Sequence, residues 1–239
     1  MVAGKGRAQL YYTVGGVNPP HTTGGSEIVK ENVNEVVKKA LEGAKTRKFK
    51  ESVELAINLK GIDLSQPKNR IEEEVILPKG RGKSVKVGVF GSGELAEKAK
   101  KVADLVIQPE EIEVYAGDKR KARKLVDNFN FFIAEAPLMP VIGKRLGAVM
   151  GPRGKMPKPI APGADPASMI NSLRKTVRLR SKDRKTFHTL VGSKEMSADD
   201  IGENINAVLT RLIGKLEQGE MNIHSIYVKT SMGPAVRLM

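Results

Sequence analysis

Apolar residues recur every three or four positions between Ser26 and Leu41, at Val29, Val33, Val36, Val37, Ala40 and Leu41. That spacing predicts an amphipathic helix, with Ser26 as a plausible N-cap. The period then shortens to two. In KESVELAINLKG (50–61), Val53, Leu55, Ile57 and Leu59 alternate with Ser52, Glu54, Ala56 and Asn58, which predicts a strand with one buried face. A second short strand, EEVILP, ends at Pro78.

Near residue 80 strand-like runs begin to alternate with helical ones. VKVGVF (85–90), DLVI (104–107) and FNFFIAEA (129–136) read as strands, while ELAEKAKKVA (94–103), an Arg/Lys-rich stretch after it and ADPASMINSLRKT (164–176) read as helices. GAVMGPRGKMPKP (147–159) reads as a loop. The alternation predicts a small parallel α/β unit. After residue 176 antiparallel signals return. TVRLRS (176–181) and KTFHTLVG (185–192) flank a charged turn and predict a hairpin. A helix follows from Ser197, with Asp200 three residues on and a stripe at Ile201, Ile205, Val208, Leu209, Leu212 and Leu216. IHSIYVKTS (223–231) is the last predicted strand.

The two flanks share one texture and the middle another. The economical arrangement is a discontinuous first domain, 26–80 with 176–239, interrupted by an inserted domain at 81–175. The two crossings, at Pro78 and Gly80 and at Lys175 and Thr176, then form a double hinge. Residues 1–25 contain Gly, Thr and Pro, lack acids and show no period, so they read as a flexible extension.

Composition narrows the chemistry. The chain has 239 residues, no cysteine and three histidines far apart in sequence, which argues against disulfide frameworks, thiolate sites and a histidine-rich metal site. No run approaches the ~18–20 apolar residues of a membrane span, and no apolar leader opens the chain. A cytoplasmic protein that binds no metal, cofactor or membrane is expected. Lys and Arg number 41 against 27 Asp and Glu, a net charge of +14, which favours a polyanionic partner and nucleic acid first. With aromatics at 4% and no Trp, a base-stacking platform is not supported.

Two stretches imitate nucleotide sites. In VKVGVFGSGELA, Gly91, Gly93 and Ala96 follow a strand and open a helix, with Glu110 about twenty residues beyond, so a dinucleotide-dependent enzyme stands as an alternative. Any small α/β unit also needs a glycine turn there. The second is the 147–159 loop. A P-loop ending at Gly154-Lys155 needs Gly at 149 and Ser or Thr at 156, where the chain has Val149 and Met156. Pro152, Pro157 and Pro159 remove backbone donors and favour a rigid, shaped loop. Its cations Arg153, Lys155 and Lys158 are expected to assist RNA binding or shape a cleft.

The flanks offer more. Arg178 and Arg180 share one face of their strand, Val177 and Leu179 the other, and Lys182 lies in the turn beyond. Ser225, Tyr227, Lys229 and Ser231 share a face of the last strand, and Lys48, Lys50 and Ser52 a face of the first. If these faces coincide, Lys, Arg and hydroxyl groups point outward, the groups that position phosphate and the RNA 2′-OH. An ordinary solvated sheet face is the plain alternative. Met232-Gly233-Pro234, directly after the strand, allows a close backbone approach.

LGAVMGPRGKMPKP resembles the signature of the universal L-one family of large-subunit ribosomal proteins, the family of the mobile stalk beside the tRNA exit site. KFKESVELAINLKGID, ILPKGRGK, FHTLVG and SIYVKTSMGPAVRL follow in the family's order and spacing, from about residue 27 to the end, and LPKGRGK is similar to archaeal members. The resemblance implies an antiparallel sheet with two helices (split β-α-β) and an inserted Rossmann-like α/β domain that takes no nucleotide. It implies a non-enzymatic ribosomal protein, monomeric when free. Its partners would be stalk rRNA, exit-site tRNA during release of deacylated tRNA, and an operator in its own mRNA, which it would repress. The family's main RNA contacts fall on Lys48, Phe49, Ser52, Ser225, Ser231, Met232, Gly233 and Pro234. Ser231 stands where threonine is common, keeping the hydroxyl and losing a methyl group. A repressor acting only on mRNA is a third reading.

Overall fold

The computed structural model describes residues 25–161 and 163–239. The extension expected at 1–25 lies, but for its last residue, outside them. The chain opens with α1 (Gly25–Glu42), β1 (Ser52–Leu59) and β2 (Glu72–Ile76). It continues through β3 (Val87–Phe90), α2 (Gly93–Lys100), β4 (Leu105–Ile107), α3 (Pro109–Gly117), α4 (Lys119–Asn128), β5 (Phe131–Glu135), α5 (Met139–Met150), β6 (Lys158–Ile160) and α6 (Pro166–Lys175). It closes with β7 (Thr176–Arg180), β8 (Thr186–Ser193), α7 (Ala198–Lys215), β9 (Ile223–Thr230) and β10 (Ala235–Arg237).

Local chemistry starts the helices. Ser197 accepts a hydrogen bond from the Asp200 amide and caps α7, Asp118 caps α4 through Arg120 and Lys121, and Asp165 caps α6 ahead of Pro166. Gln108 and Glu111 form a reciprocal capping box at α3. α1 already includes Ser26, so that residue lies one position inside the helix rather than at its cap.

Among the described residues three sheets result. An antiparallel sheet has the order β10-β9-β1-β8, β2 and β7 form an antiparallel ribbon, and a parallel sheet has the order β4-β3-β5-β6. β1 sits between β8 and β9, pairing Leu55 with Thr189 on one side and Val228 on the other. Its alternating residues Val53, Leu55, Ile57 and Leu59 pack against Val33, Val37 and Ala40 of α1 and Ile201, Ile205, Val208 and Leu212 of α7. Val75 of β2 and Val177 and Leu179 of β7 belong to the same core. The parallel sheet has a separate core on each face, one with α3, α4 and α5 and one with α2 and α6. The fold is thus mixed α/β and α+β, with an antiparallel and a parallel part. In β3, a Cβ at Gly88 would lie 2.8 Å from the Phe132 ring on the neighbouring strand, so the strand needs glycine there.

Three expectations require correction. β7 and β8 do not form a hairpin: β7 pairs with β2, while β8 crosses to the edge of the other sheet against β1. The turn between them is anchored apart, since Ser181 N–H donates to Ile71 O and Leu59 N–H donates to Lys185 O. The first strand begins at Ser52, because the chain bends at Lys48 and Phe49, and alternation therefore does not extend to Lys48 and Lys50. Gly147–Met150 are the last turn of α5 rather than loop; the connection proper runs from Gly151 to β6.

The crossing segments meet side by side. Leu77 N–H donates to Lys175 O (3.0 Å), Ile76 pairs with Thr176, and Gly80 N–H closes a turn on Leu77 O (3.1 Å). Asn204, fully buried on α7, holds this segment: its Nδ2 donates to Gly80 O and Val191 O, and its Oδ1 accepts from Lys79 N–H. Asn204→Ala should lower unfolding free energy by about 2–3 kcal/mol, because buried backbone groups lose their partners. Chemical denaturation of both proteins measures the difference.

Candidate nucleic-acid interface

At one end of the four-stranded sheet the start of β1 meets the end of β9. Ser52 N–H donates to Ser231 Oγ (3.2 Å) and Ser231 N–H donates to Ser52 O (3.0 Å), which locks the two strand ends together. Ser231 thus spends its hydroxyl on the frame rather than presenting it, and Ser52 is buried. Two large apolar side chains flank this frame in the open, Phe49 at 54% exposure and Met232 at 61%. Lys48 is exposed beside Phe49, and Lys50 pairs with Glu195 at 2.9 Å on the rim. Gly233 N–H donates to Thr230 O, and a Cβ at Gly233 would meet Thr230 Oγ1 at 2.3 Å. Only glycine lets the turn fold so tightly against β9. Pro234 packs over Gly43, just past α1.

Glu51, which strand alternation alone does not single out, is buried at this end. It is 2% exposed, its carboxylate has no hydrogen-bond partner among the described residues, and Arg47 and Lys194 approach at 3.6 and 4.0 Å. Lys194 also donates to Ala44 O and Lys45 O, tying the end of α1 to the approach to β1. Parity does place it on the buried face, in step with Val53 and Leu55.

The other predicted residues lie elsewhere. Ser225 is level with Asn58, six residues along β1 from Ser52, about 20 Å away at strand spacing. It is buried and accepts from Asn58 Nδ2 (2.8 Å), while Asn58 Oδ1 accepts from Thr186 Oγ1. Lys229 is half-buried opposite Glu54. Lys182, with φ 53°, is exposed in the turn at the far end of the sheet. An outward row of free hydroxyls is therefore not what the strands present.

Arg178 and Arg180 do not join the sheet end either. They lie on the β2–β7 ribbon, where Glu74 and Glu72 sit directly across and pair with them at 3.2 and 3.3 Å. Arg178 also stacks 4.5 Å over the Phe131 ring of the parallel part and donates to Gly154 O. Lys158 reaches back to the same Glu74. Arg153 bonds Asp127 (2.8 Å) and Val149 O, and holds the Asp127 carboxyl below its ordinary pKa. Lys155 donates to Val126 O (2.7 Å), and burial pushes its ammonium pKa down. These three cations fasten the 151–158 connection in place.

The dinucleotide-like turn has its own anion. Ser92 N–H and Oγ–H both donate to Glu135 Oε2, at 3.2 and 2.8 Å, at the start of α2. A carboxylate there repels a pyrophosphate, and Glu110 sits in the first turn of α3.

The family model of the Ribosomal protein L1p/L10e family matches residues 36–234. The chain is 57% identical to the large ribosomal subunit protein uL1 of Methanocella arvoryzae over 211 residues, 88% of this chain and 99% of that one. It is 56% identical over 210 residues to the protein of the same name in Thermoplasma acidophilum (87% and 97%), and 54% over 212 residues to that of Methanothrix thermoacetophila (88% and 100%). The chain belongs to the Ribosomal protein L1p/L10e family, a family of ribosomal proteins and not of enzymes.

Proposed function

We propose that the chain is a structural constituent of the large ribosomal subunit, ribosome-bound in the cytoplasm, that grips the rRNA of the mobile stalk with the Ser52–Ser231 end of its sheet. One observation carries the reading: two exposed apolar side chains, Phe49 and Met232, stand beside Lys48 on a frame tied by the reciprocal Ser52–Ser231 hydrogen bonds. Together Phe49 and Met232 supply apolar contact area beside the Lys48 charge, and a frame formed before binding lowers the cost of ordering. At Gly233 the backbone comes close enough to the surface for a ribose to approach it. Lys48 and Lys229 position phosphates around the contact. Lys182, exposed farther along the sheet, contacts a second segment of the same folded RNA, and Ser225 holds Asn58 beneath that contact.

From the stalk the protein assists release of deacylated tRNA at the exit site. A message that folds into the same RNA shape occupies the same surface, so the protein represses its own mRNA. It is a monomer when free. Its division into 26–80 with 176–239 and an inserted 81–175 rests on the separate cores. The double hinge at Pro78, Gly80, Lys175 and Thr176 rests on the pairing of the two crossings, with Arg81–Ser84 taking up the turn beyond the Asn204 anchor. Glu74 serves as the latch that holds the parts together through Arg178 and Lys158.

Met232→Asp and Gly233→Val should each weaken binding to a stalk-rRNA fragment at least tenfold in a filter assay, the first through charge and the second through bulk. Affinity unchanged in both would move the contact away from this end of the sheet. Glu74→Gln should loosen the latch and raise the radius of gyration measured by small-angle X-ray scattering; an unchanged radius argues against a hinge governed by Glu74.

A further inference from the structure

Between the β7–β8 edge and the parallel part lies a cavity of about 220 Å³ lined by Arg81, Asn130, Phe131, Arg178, His188 and Thr189. It is smaller than the ~300–1,000 Å³ typical of small-molecule sites, and its lining sets two guanidinium groups and hydrogen-bonding side chains beside apolar Phe131, Val177 and Leu190. Arg81 is the unusual member. Its Nε is buried without a hydrogen-bond partner, and among the described residues no carboxylate pairs with its guanidinium. Arg178, the neighbouring cation, is balanced by Glu74, stacked on Phe131 and bonded to Gly154 O. Burial, and then the charge of Arg178, lowers the affinity of Arg81 for its proton. Thr189, 5% exposed, has a hydroxyl that is likewise buried and unpartnered. Asn130 spends its carbonyl oxygen on Lys86 N–H, and its amide N–H₂ has no partner among the described residues.

An uncompensated, partly buried guanidinium beside a second one is costly, and an orphaned buried donor adds to that cost. An anion seated against the Arg81 guanidinium offsets the charge penalty. A planar guanidinium, an amide N–H₂ and a hydroxyl are donors suited to tetrahedral phosphate oxygens, while His188, next to Thr189 on β8, presents its side chain to the other face of the strand. We propose that this cavity is an oxyanion site that takes one phosphate group, with Arg81 as its principal ligand. The group is either a phosphodiester of a bound RNA or free inorganic phosphate. The site goes beyond the sheet-end contact above: it joins elements from both parts of the molecule, so its occupancy favours the arrangement in which they are latched.

The test uses the full chain and Arg81→Met, which keeps the packing stem and removes the charge. In thermal unfolding at matched ionic strength, replacing chloride by millimolar inorganic phosphate should raise Tm of the unsubstituted protein saturably, by about 3–5 °C for a site filled well above its Kd. Arg81→Met should show only the small, non-saturating rise that phosphate gives through exclusion from protein surface. In chloride alone its Tm should equal or exceed that of the parent, since an uncompensated charge has gone. Asn130→Ala, at an exposed position, is the second variant and should also reduce the phosphate-dependent rise.

The rRNA arm separates the sources. If a phosphodiester fills the site, Arg81→Met should flatten the log–log salt dependence of rRNA binding by roughly 0.7–0.9. Equal salt slopes with a phosphate-specific Tm rise assign the site to free phosphate. Identical phosphate responses in all three proteins together with identical salt slopes would overturn the proposal. Met232→Asp should keep the full phosphate-dependent rise, so failure of the sheet-end reading and failure of this one give different results.

Discussion

Everything in the first part of this molecule depends on β1 finding its two neighbours more than a hundred residues away. Val53 pairs with Gly192 on one side and Thr230 on the other, and the reciprocal Ser52–Ser231 bonds close the ladder. A central strand buried on its core face cannot slip by one residue without turning Val53, Leu55 and Ile57 to the other face. That register fixes where Phe49 and Met232 stand, brings the end of α1 against Pro234, and forces the chain to leave and re-enter through two adjacent segments. Those segments lie side by side, joined by the β2–β7 ribbon, so the chain enters and leaves the parallel part at one place. Closing so long a loop costs folding entropy only logarithmically in its length.

Charge is organised less simply than its excess implies. The acidic run Glu72-Glu73-Glu74 on β2 neutralises cations from three directions: Arg178 and Arg180 across the ribbon, Arg211 and Lys215 from α7, and Lys158 from the parallel part. Hydrogen bonds from Lys215 and Arg211 hold the Glu73 carboxyl below its ordinary pKa. That contribution to stability is present above the unfolded-state carboxylate pKa and is lost as pH falls through the lowered folded value. Arg178 and Arg180, two of the cations between 174 and 185, are therefore paired within the fold. Lys48 remains exposed at the sheet end, and Arg81 is left unbalanced beside the cavity.

Periodicity revealed the elements whose partners are helices and the core, and missed what depended on remote pairing. α7, with its Ser197 cap and its stripe, and the alternation of β1 lie where residue spacing puts them, because burial sets both. The β7–β8 hairpin failed because two adjacent strands with a charged turn look alike whether they pair with each other or with β2 and β1. Arg178 and Arg180 face the expected side of their strand, yet Glu72 and Glu74 oppose them, a match only the register reveals. β10 was hidden in TSMGPAVRL, where the glycine turn drew attention from the three residues beyond it. The family signature at 147–159 proved to be a helix end and a fastened connection, with its cations turned inward to Asp127, Val126 O and Glu74.

The central claim is that stalk rRNA meets the Ser52–Ser231 end of the sheet. Hydrogen–deuterium exchange of the full chain, with and without the rRNA fragment, tests it without altering any residue. Slower exchange concentrated in residues 48–53 and 229–235 is the result the account requires. Protection confined to residues 86–175, with the sheet end exchanging as in the free protein, would contradict it.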